Sequence, residues 1–307
     1  MEPQIVERTD NLEQYLKQIG KIFNISDIVN EPQEKQQIID YYLTNKLTYR
    51  LFYNWEGFFH SGISYDGKRK RGDVKEQATI CERYIHDMNA TNVLELAYGL
   101  GANSGFLARR NPQVTFDALD ISNKPLKRFT KIPNLHFYSG DYHDLSRFQD
   151  NFYDIVFVIE AMCYSTNKTQ ALREVKKKLK SCGIFVIFDV YRNDRASPSS
   201  DSENIMWELI TKGLAADKFE CVKEVEEYMK EHFSITAAKD LSQCILPSFD
   251  RQESLVRPYF KHPAFAKAIN LFLPFGVARN AIVVLLIPTS VRRQITCYYL
   301  HVLKKDS

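Results

Sequence analysis

From Asn92 onward the chain alternates short apolar runs with amphipathic segments, a pattern that restricts the fold to an α/β parallel sheet with crossover helices on its faces. The runs predict strands at Asn92–Ala97, Val114–Leu119, Leu135–Tyr138, Tyr153–Ile159 and Gly183–Val190. Between the last two, Lys168–Lys180 reads as a helix, with Ala171, Leu172, Val175 and Leu179 on one face and Gly183 at the expected stopping place. Further helices are expected around Glu203–Leu214 and Cys221–Lys230, and further strands at Phe233–Ala237 and Ile295–Leu303. Roughly fifty residues separate these last two, too many for a bare hairpin, so a helical insertion is expected there. Ahead of the sheet, Pro32 to Tyr53 carries aromatic residues at helical spacing, including Tyr42, Tyr49, Phe52 and Tyr53. A glycine-containing segment, Trp55 to Tyr65, follows, and then a helix over Asp73–Met88 capped by Asp73.

Composition narrows the class without naming a chemistry. A chain of 307 residues, 44% hydrophobic and 26% charged, builds a sizeable core and is neither disordered nor fibrous. Its formal charge of +3 gives no electrostatic footprint for nucleic acid, and the short basic knot Lys68-Arg69-Lys70-Arg71 reads as a solvated loop. The six cysteines have no CxxC or CxxH spacing, so they read as reduced structural thiols and no metal is expected. Met1 to Gly20 lacks an apolar signal core, which predicts a cytoplasmic protein. The greasiest stretch, Leu271 to Ile287, is broken by Pro274, Gly276, Arg279 and Asn280, and is too short to span a bilayer.

The chemistry concentrates in Val93-Leu94-Glu95-Leu96-Ala97-Tyr98-Gly99-Leu100-Gly101-Ala102-Asn103-Ser104. A buried strand runs into a glycine-rich turn and a helix starting near Asn103, where backbone N–H groups converge and a nucleotide-like ligand can approach closely. Asp120 ends the second strand 25 residues beyond Glu95, about where an acid meets ribose hydroxyls. Asp141, in Ser139-Gly140-Asp141-Tyr142, ends the third strand and is placed to meet the exocyclic amine of adenine; Glu160 ends the fourth. Successive acids at the carboxyl ends of adjacent parallel strands share one rim, where ligands bind in open α/β folds. Ser104 stands where a nicotinamide dehydrogenase would carry the further glycine of GxGxxG, which disfavours that class. A module that binds a cofactor without turning it over stays open.

At these residues the sequence resembles the class I S-adenosylmethionine-dependent methyltransferases, over Asn92 to Val190 and on toward Lys304. It departs from their first motif at Ala97, where many members have glycine. The run Ile159-Glu160-Ala161-Met162-Cys163-Tyr164 is similar to the Ile-Glu-Ala-x-Cys-His motif of sterol C-methyltransferases, with Tyr164 replacing histidine. Gly57-Phe58-Phe59-His60-Ser61-Gly62 resembles the Gly-x-x-His-x-Gly element of the tocopherol, sterol and prenyl-diphosphate branch, and Asp240 to Ser248 resembles that branch's turn into a helical cap. The resemblance implies a Rossmann-like seven-stranded sheet with N-terminal helices (1–90), a cofactor-binding core (91–242), a helical cap between strands six and seven (243–293) and a final core strand (294–307). It implies S-adenosylmethionine as cofactor, held by Glu95, Ala97, Gly99, Gly101, Asn103, Asp120, Ile121, Asp141, Tyr142 and Glu160.

The implied reaction is methyl transfer to a small acceptor, more apolar than polar, with C-methylation favoured and N-methylation of a small amine as the alternative. The protein then has to align the acceptor, exclude water and take up a proton where the product requires it. Tyr42, Tyr49, Tyr53, Trp55, Phe59 and Tyr164 form a candidate aromatic wall, and Glu56, His60 and Glu160 are candidate bases. Cys163 has no histidine–aspartate arrangement that would make it a nucleophile. The apolar run Ala281 to Ile287 either packs on the core or lines a greasy mouth that receives a lipid-like acceptor or rests on a membrane. Arg279, Arg292 and Arg293 flank it as candidate headgroup ligands or as plain surface charges. The sequence does not specify an oligomeric state.

Overall fold

All seven expected strands form and join one sheet: β1 Asn92–Leu96, β2 Thr115–Asp120, β3 Leu135–Ser139, β4 Tyr153–Ile159, β5 Leu179–Arg192, β6 Ser234–Asp240 and β7 Thr296–Lys304. The computed structural model describes residues 11–31, 56–122, 124–194, 200–214, 219–273 and 275–306. Strand order is β3-β2-β1-β4-β5-β7-β6, with β1 to β5 parallel and β7 antiparallel to both its neighbours. Because side chains alternate along a strand, Val93, Ile155 and Phe157 pack into one apolar layer while Leu94, Val156 and Val158 pack into the layer on the other face. The order reverses at β1, which lies between β2 and β4, and that reversal opens a crevice at the carboxyl ends of the strands.

The described helices are α1 Leu12–Gly20, α2 Ile25–Asn30, α3 Glu76–Asp87, α4 Ala102–Arg110, α5 Lys168–Lys178, α6 Asp201–Gly213, α7 Val222–Lys230, α8 Ser242–Lys261, α9 Pro263–Asn270 and α10 Phe275–Arg292. The last three fill the interval between β6 and β7, where α10 packs against α8 and α6. The run Ala281 to Ile287 turns its bulk inward, with Leu285 and Leu286 fully buried, so core packing accounts for most of its greasiness. Among the described residues no helix is long and apolar enough to cross a membrane. The aromatic helix expected over Pro32 to Tyr53, and with it Tyr42, Tyr49, Tyr53 and Trp55, lies outside the described residues.

Two local expectations are corrected. Gly183 does not stop the preceding helix: α5 ends at Lys178, and Leu179 is already extended, buried and paired with Tyr153. Gly183 sits inside β5, where a Cβ would come within 3.1 Å of the Asp154 carbonyl, so the glycine serves strand approach. Asp73 is not the cap of α3, which starts three residues later; it belongs to a 3-10 turn, Arg71–Lys75, and its carboxylate accepts from the Lys70 N–H at 2.6 Å and the Ser64 hydroxyl at 2.5 Å. In the basic knot, Lys70 pairs with Asp66 on the surface, as expected of a solvated loop.

Candidate active site

The glycine turn after β1 holds three consecutive odd positions in the left-handed region, Ala97 at φ 55°, Gly99 at 62° and Gly101 at 82°. Gly101 caps α4, and a Cβ there would lie 2.8 Å from the Phe137 ring. Alanine carries a Cβ penalty of about 1–2 kcal/mol in this region, so Ala97 keeps the backbone path that glycine would follow at some cost in strain. Glu160 at the end of β4 is also left-handed, at φ 51°. Strained backbone on both sides of the crevice is characteristic of a site that the surrounding fold over-determines.

Asp120 is buried and couples β2 to this turn: Oδ2 accepts from the Gly99 N–H at 2.9 Å, and Oδ1 accepts from the Ser122 N–H and hydroxyl at 2.8 and 2.6 Å. Beside it Ile121 is 48% exposed on the rim, an apolar face available to a flat ring. Asp141 accepts from the N–H of His143 at 2.9 Å and lies 2.6 Å from its Nδ1, while His143 Nε2 lies 2.8 Å from the Ser165 hydroxyl. The Tyr142 hydroxyl donates to the Ala161 carbonyl at 3.1 Å, tying the β3 rim to the β4 rim. Ala97, Gly99, Gly101, Asp120, Ile121 and Asp141 therefore share one edge, and left-handed glycine backbone beside a buried carboxylate and an exposed apolar side chain fits an adenosyl group.

Other candidates stand behind that edge. Glu95 is 2% exposed; its carboxylate accepts from Asn103 Nδ2 at 3.2 Å, from the Ser104 N–H at 3.0 Å and from the Ser104 hydroxyl. Burial pushes it up to about 7. It fastens the first turn of α4 and does not open onto the crevice, and Asn103 is likewise spent on Glu95 and on His60 Nε2 at 3.0 Å. His60, expected among the bases, is turned inward by its loop: Nδ1 lies 3.0 Å from the Ser61 carbonyl, and burial lowers its pKa. Glu56 points the other way, pairing with Lys75 at 2.6 Å and Arg71 at 3.8 Å. Neither His60 nor Glu56 lines the cleft that holds Glu160.

That cleft holds a cavity of about 90 Å³ that opens to solvent. Phe59, Tyr164, Val190 and Leu214 line it from the core side, and Phe249, Val283, Val284 and Ile287 line it from α8 and α10. Burial among them raises Glu160 to about 8. Its Oε1 accepts from the Ser61 N–H at 3.1 Å, and the Tyr298 hydroxyl lies beside the carboxylate. Cys163 also lines the cleft, but burial and the neighbouring Asp189 keep it a neutral thiol, which removes it as a nucleophile.

Three residues escaped sequence reasoning. Ser61 is a junction: besides Glu160, it receives Gln77 Nε2 on its carbonyl at 2.7 Å and Gln252 Nε2 from α8 on its hydroxyl at 3.0 Å. Asp189, near the end of β5, lines the cleft, is raised to about 6 by burial, and accepts from the N–H groups of Cys163 at 2.9 Å and Val190 at 2.8 Å. It continues the series of acids near strand ends, a signal masked because the apolar run continues past it. Tyr298 faces Glu160 from β7, 138 residues away in sequence, and no local pattern reveals it. The flanking arginines are all engaged within the chain, Arg279 with Glu31, Arg292 with Asp250 and Arg293 with Glu203.

Residues 94–187 match the family model described as a methyltransferase domain. Among curated proteins, the probable phthiotriol/phenolphthiotriol dimycocerosates methyltransferase 2 of Mycobacterium ulcerans is 32% identical over 34% of this chain and 41% of its own length. Sterol 24-C-methyltransferase of Clavispora lusitaniae is 24% identical over 70% of this chain and 60% of its own length. The chain thus spans about half the length of the curated relatives it matches. Among solved structures, the cyclopropane synthase MmaA2 of Mycobacterium tuberculosis superposes with a TM-score of 0.68 at 14% identity, covering 90% of this chain and 100% of that one. The fold and the matched core are those of a class I S-adenosylmethionine-dependent methyltransferase.

Proposed function

We propose that the protein transfers a methyl group from S-adenosylmethionine to a small apolar or lipid-like acceptor, by C-methylation, in the cleft beside Glu160. The observation that carries this reading is the cleft itself: aromatic and aliphatic walls around a buried carboxyl group of raised proton affinity, at the end of the strand paired with β1. The named relatives act as sterol and dimycocerosate methyltransferases, which agrees with a greasy acceptor. When bound, the cofactor supplies an electrophilic methyl group, and the remaining tasks fall to this chain's side chains. The backbone of Gly99 and Gly101 and the carboxylate of Asp120 hold the adenosyl group, with Ile121 and Asp141 at its base. Phe59 and Tyr164 exclude water and face any positive charge that develops on an alkene acceptor, an attraction worth about 0.5–2 kcal/mol per ring. Glu160 takes up the proton that leaves the methylated carbon.

Division of the chain into N-terminal helices, core and cap, with α8 to α10 closing over the acceptor, belongs to the same proposal. So does a cytoplasmic location, which suits six free cysteines. N-methylation of an amine is favoured by one observation, the second carboxylate, Asp189, in the cleft. The test is incubation with methyl-labelled cofactor and a lipid extract, followed by solvent partition. Label in an organic-soluble product supports C-methylation of an apolar acceptor; label confined to water-soluble amines overturns it in favour of the alternative.

A further inference from the structure

The insertion leaves one apolar tip uncovered, at the turn between α9 and α10. Leu271 and Phe272 are 81% and 87% exposed there, and Phe265 on α9 is 60% exposed. Lys261 and Lys267 flank Phe265 in the chain and are both exposed. From Ser254 to Lys305 the chain carries no Asp or Glu, and Arg257, Arg279, Arg292 and Arg293 are each paired with an acid from elsewhere. The tip therefore combines large apolar side chains with lysines that no acid in its own stretch offsets.

We propose that this tip docks the protein on an anionic lipid bilayer, with Leu271, Phe272 and Phe265 in the acyl boundary and Lys261 and Lys267 among the phosphates. Apolar wedges beside basic side chains are the chemistry of interfacial attachment, in which buried area and headgroup attraction add. A second copy of the chain is the poorer occupant, because a symmetric contact would bring the lysines of both copies together. Position gives the contact a use. The tip runs directly into α10, whose second and third turns carry Asn280 and Val283 into the cleft. Docking thus sets the cleft beside the phase in which an apolar acceptor is dissolved, a clause that rests on the function proposed above.

The experiment is sedimentation of the full chain with vesicles of phosphatidylcholine, with and without phosphatidylglycerol. Wild type is expected to pellet with the mixed vesicles and to be released by salt. L271S/F272S should lower partition at least about tenfold; K261Q/K267Q should lower it on the mixed vesicles only. Equal pelleting of wild type and L271S/F272S overturns the proposal, as does no pelleting at all. Self-association in sedimentation velocity that L271S/F272S abolishes would overturn it too, by assigning the tip to a second copy. Because vesicle binding is read without cofactor or turnover, its failure leaves the methyltransferase reading intact, and a chain that binds vesicles yet methylates nothing sinks only that reading.

Discussion

The backbone N–H of Ser61 donates to Oε1 of Glu160 at 3.1 Å, joining a loop ahead of the sheet to the strained end of β4. Through Ser61 the same loop reaches Gln77 on α3 and Gln252 on α8, so the carboxylate is positioned by elements from three parts of the chain. Gly62 makes this geometry available: a Cβ there would lie 2.7 Å from the backbone of Asp73 and Val74. Gly62→Ala is expected to shift the loop, cost about 1–3 kcal/mol and lower turnover at least about tenfold while cofactor affinity holds. Thermal melts with calorimetry and product assays separate the three effects, and unchanged turnover would break the link between loop and carboxylate.

Asp120 anchors the glycine turn and stands where ribose hydroxyls are expected. Asp120→Ala should weaken S-adenosylmethionine binding by roughly 1.5–3 kcal/mol, the scale of a charge-assisted hydrogen bond and its buried partner. Titration calorimetry showing unchanged affinity would remove Asp120 from the cofactor site.

Ala97 tests the strain directly. Replacing it with glycine removes the left-handed penalty, so Ala97→Gly is expected to stabilise the protein by about 1 kcal/mol, offset in part by the greater unfolded-state freedom of glycine. A fall in melting temperature would mean that the Cβ makes a contact worth more than the strain.

Three buried carboxyls give a pH signature. Burial raises Glu160 to about 8, Glu95 to about 7 and Asp189 to about 6. Each holds its proton more tightly in the folded chain than in the unfolded one. Its stabilising contribution is therefore full below the ordinary carboxyl value of about 4 and is lost as pH rises through the folded value, at no more than about 1.4 kcal/mol for each tenfold difference in proton affinity. Melting temperature should fall between about pH 5 and pH 8, with His60, whose pKa burial lowers, opposing this at the acidic end. Glu160→Gln should flatten the alkaline part of the fall, and the difference between the two melting curves cancels the contribution of His60. As a base, Glu160 must be ionised, so turnover of wild type should rise with pH toward about 8, and Glu160→Gln should lose about a hundredfold and that pH limb together. A variant that keeps the wild-type pH profile would assign the proton elsewhere.

The sheet was legible because its code is local: apolar runs of strand length separated by helical periodicity, each strand falling within a few residues of its expected place. Asp120, Gly99 and Gly101 were legible for the same reason, since a strand end and a turn dictate where they sit. What misled was side-chain direction in loops. His60 and Glu56 sit close in sequence to the cleft-lining Phe59 and Ser61, yet one ring turns inward onto Asn103 and the other carboxylate outward onto Lys75. Glu95 belongs to the motif but braces the helix, because a strand residue before the turn points into the sheet's packed face. Tyr298 and Ser61 act through contacts that span most of the chain, and nothing in a local spacing encodes those.

Methyl transfer in the Glu160 cleft requires the acceptor to enter opposite the cofactor's methyl group, and a crystal structure with S-adenosylhomocysteine reads that geometry at once. The adenosyl group is expected over Gly99 and Gly101, its ribose on Asp120, and its sulfur opening toward Glu160, Phe59 and Tyr164. A sulfur facing away from that cleft, or opening onto a wall of charged side chains, would contradict the proposed function.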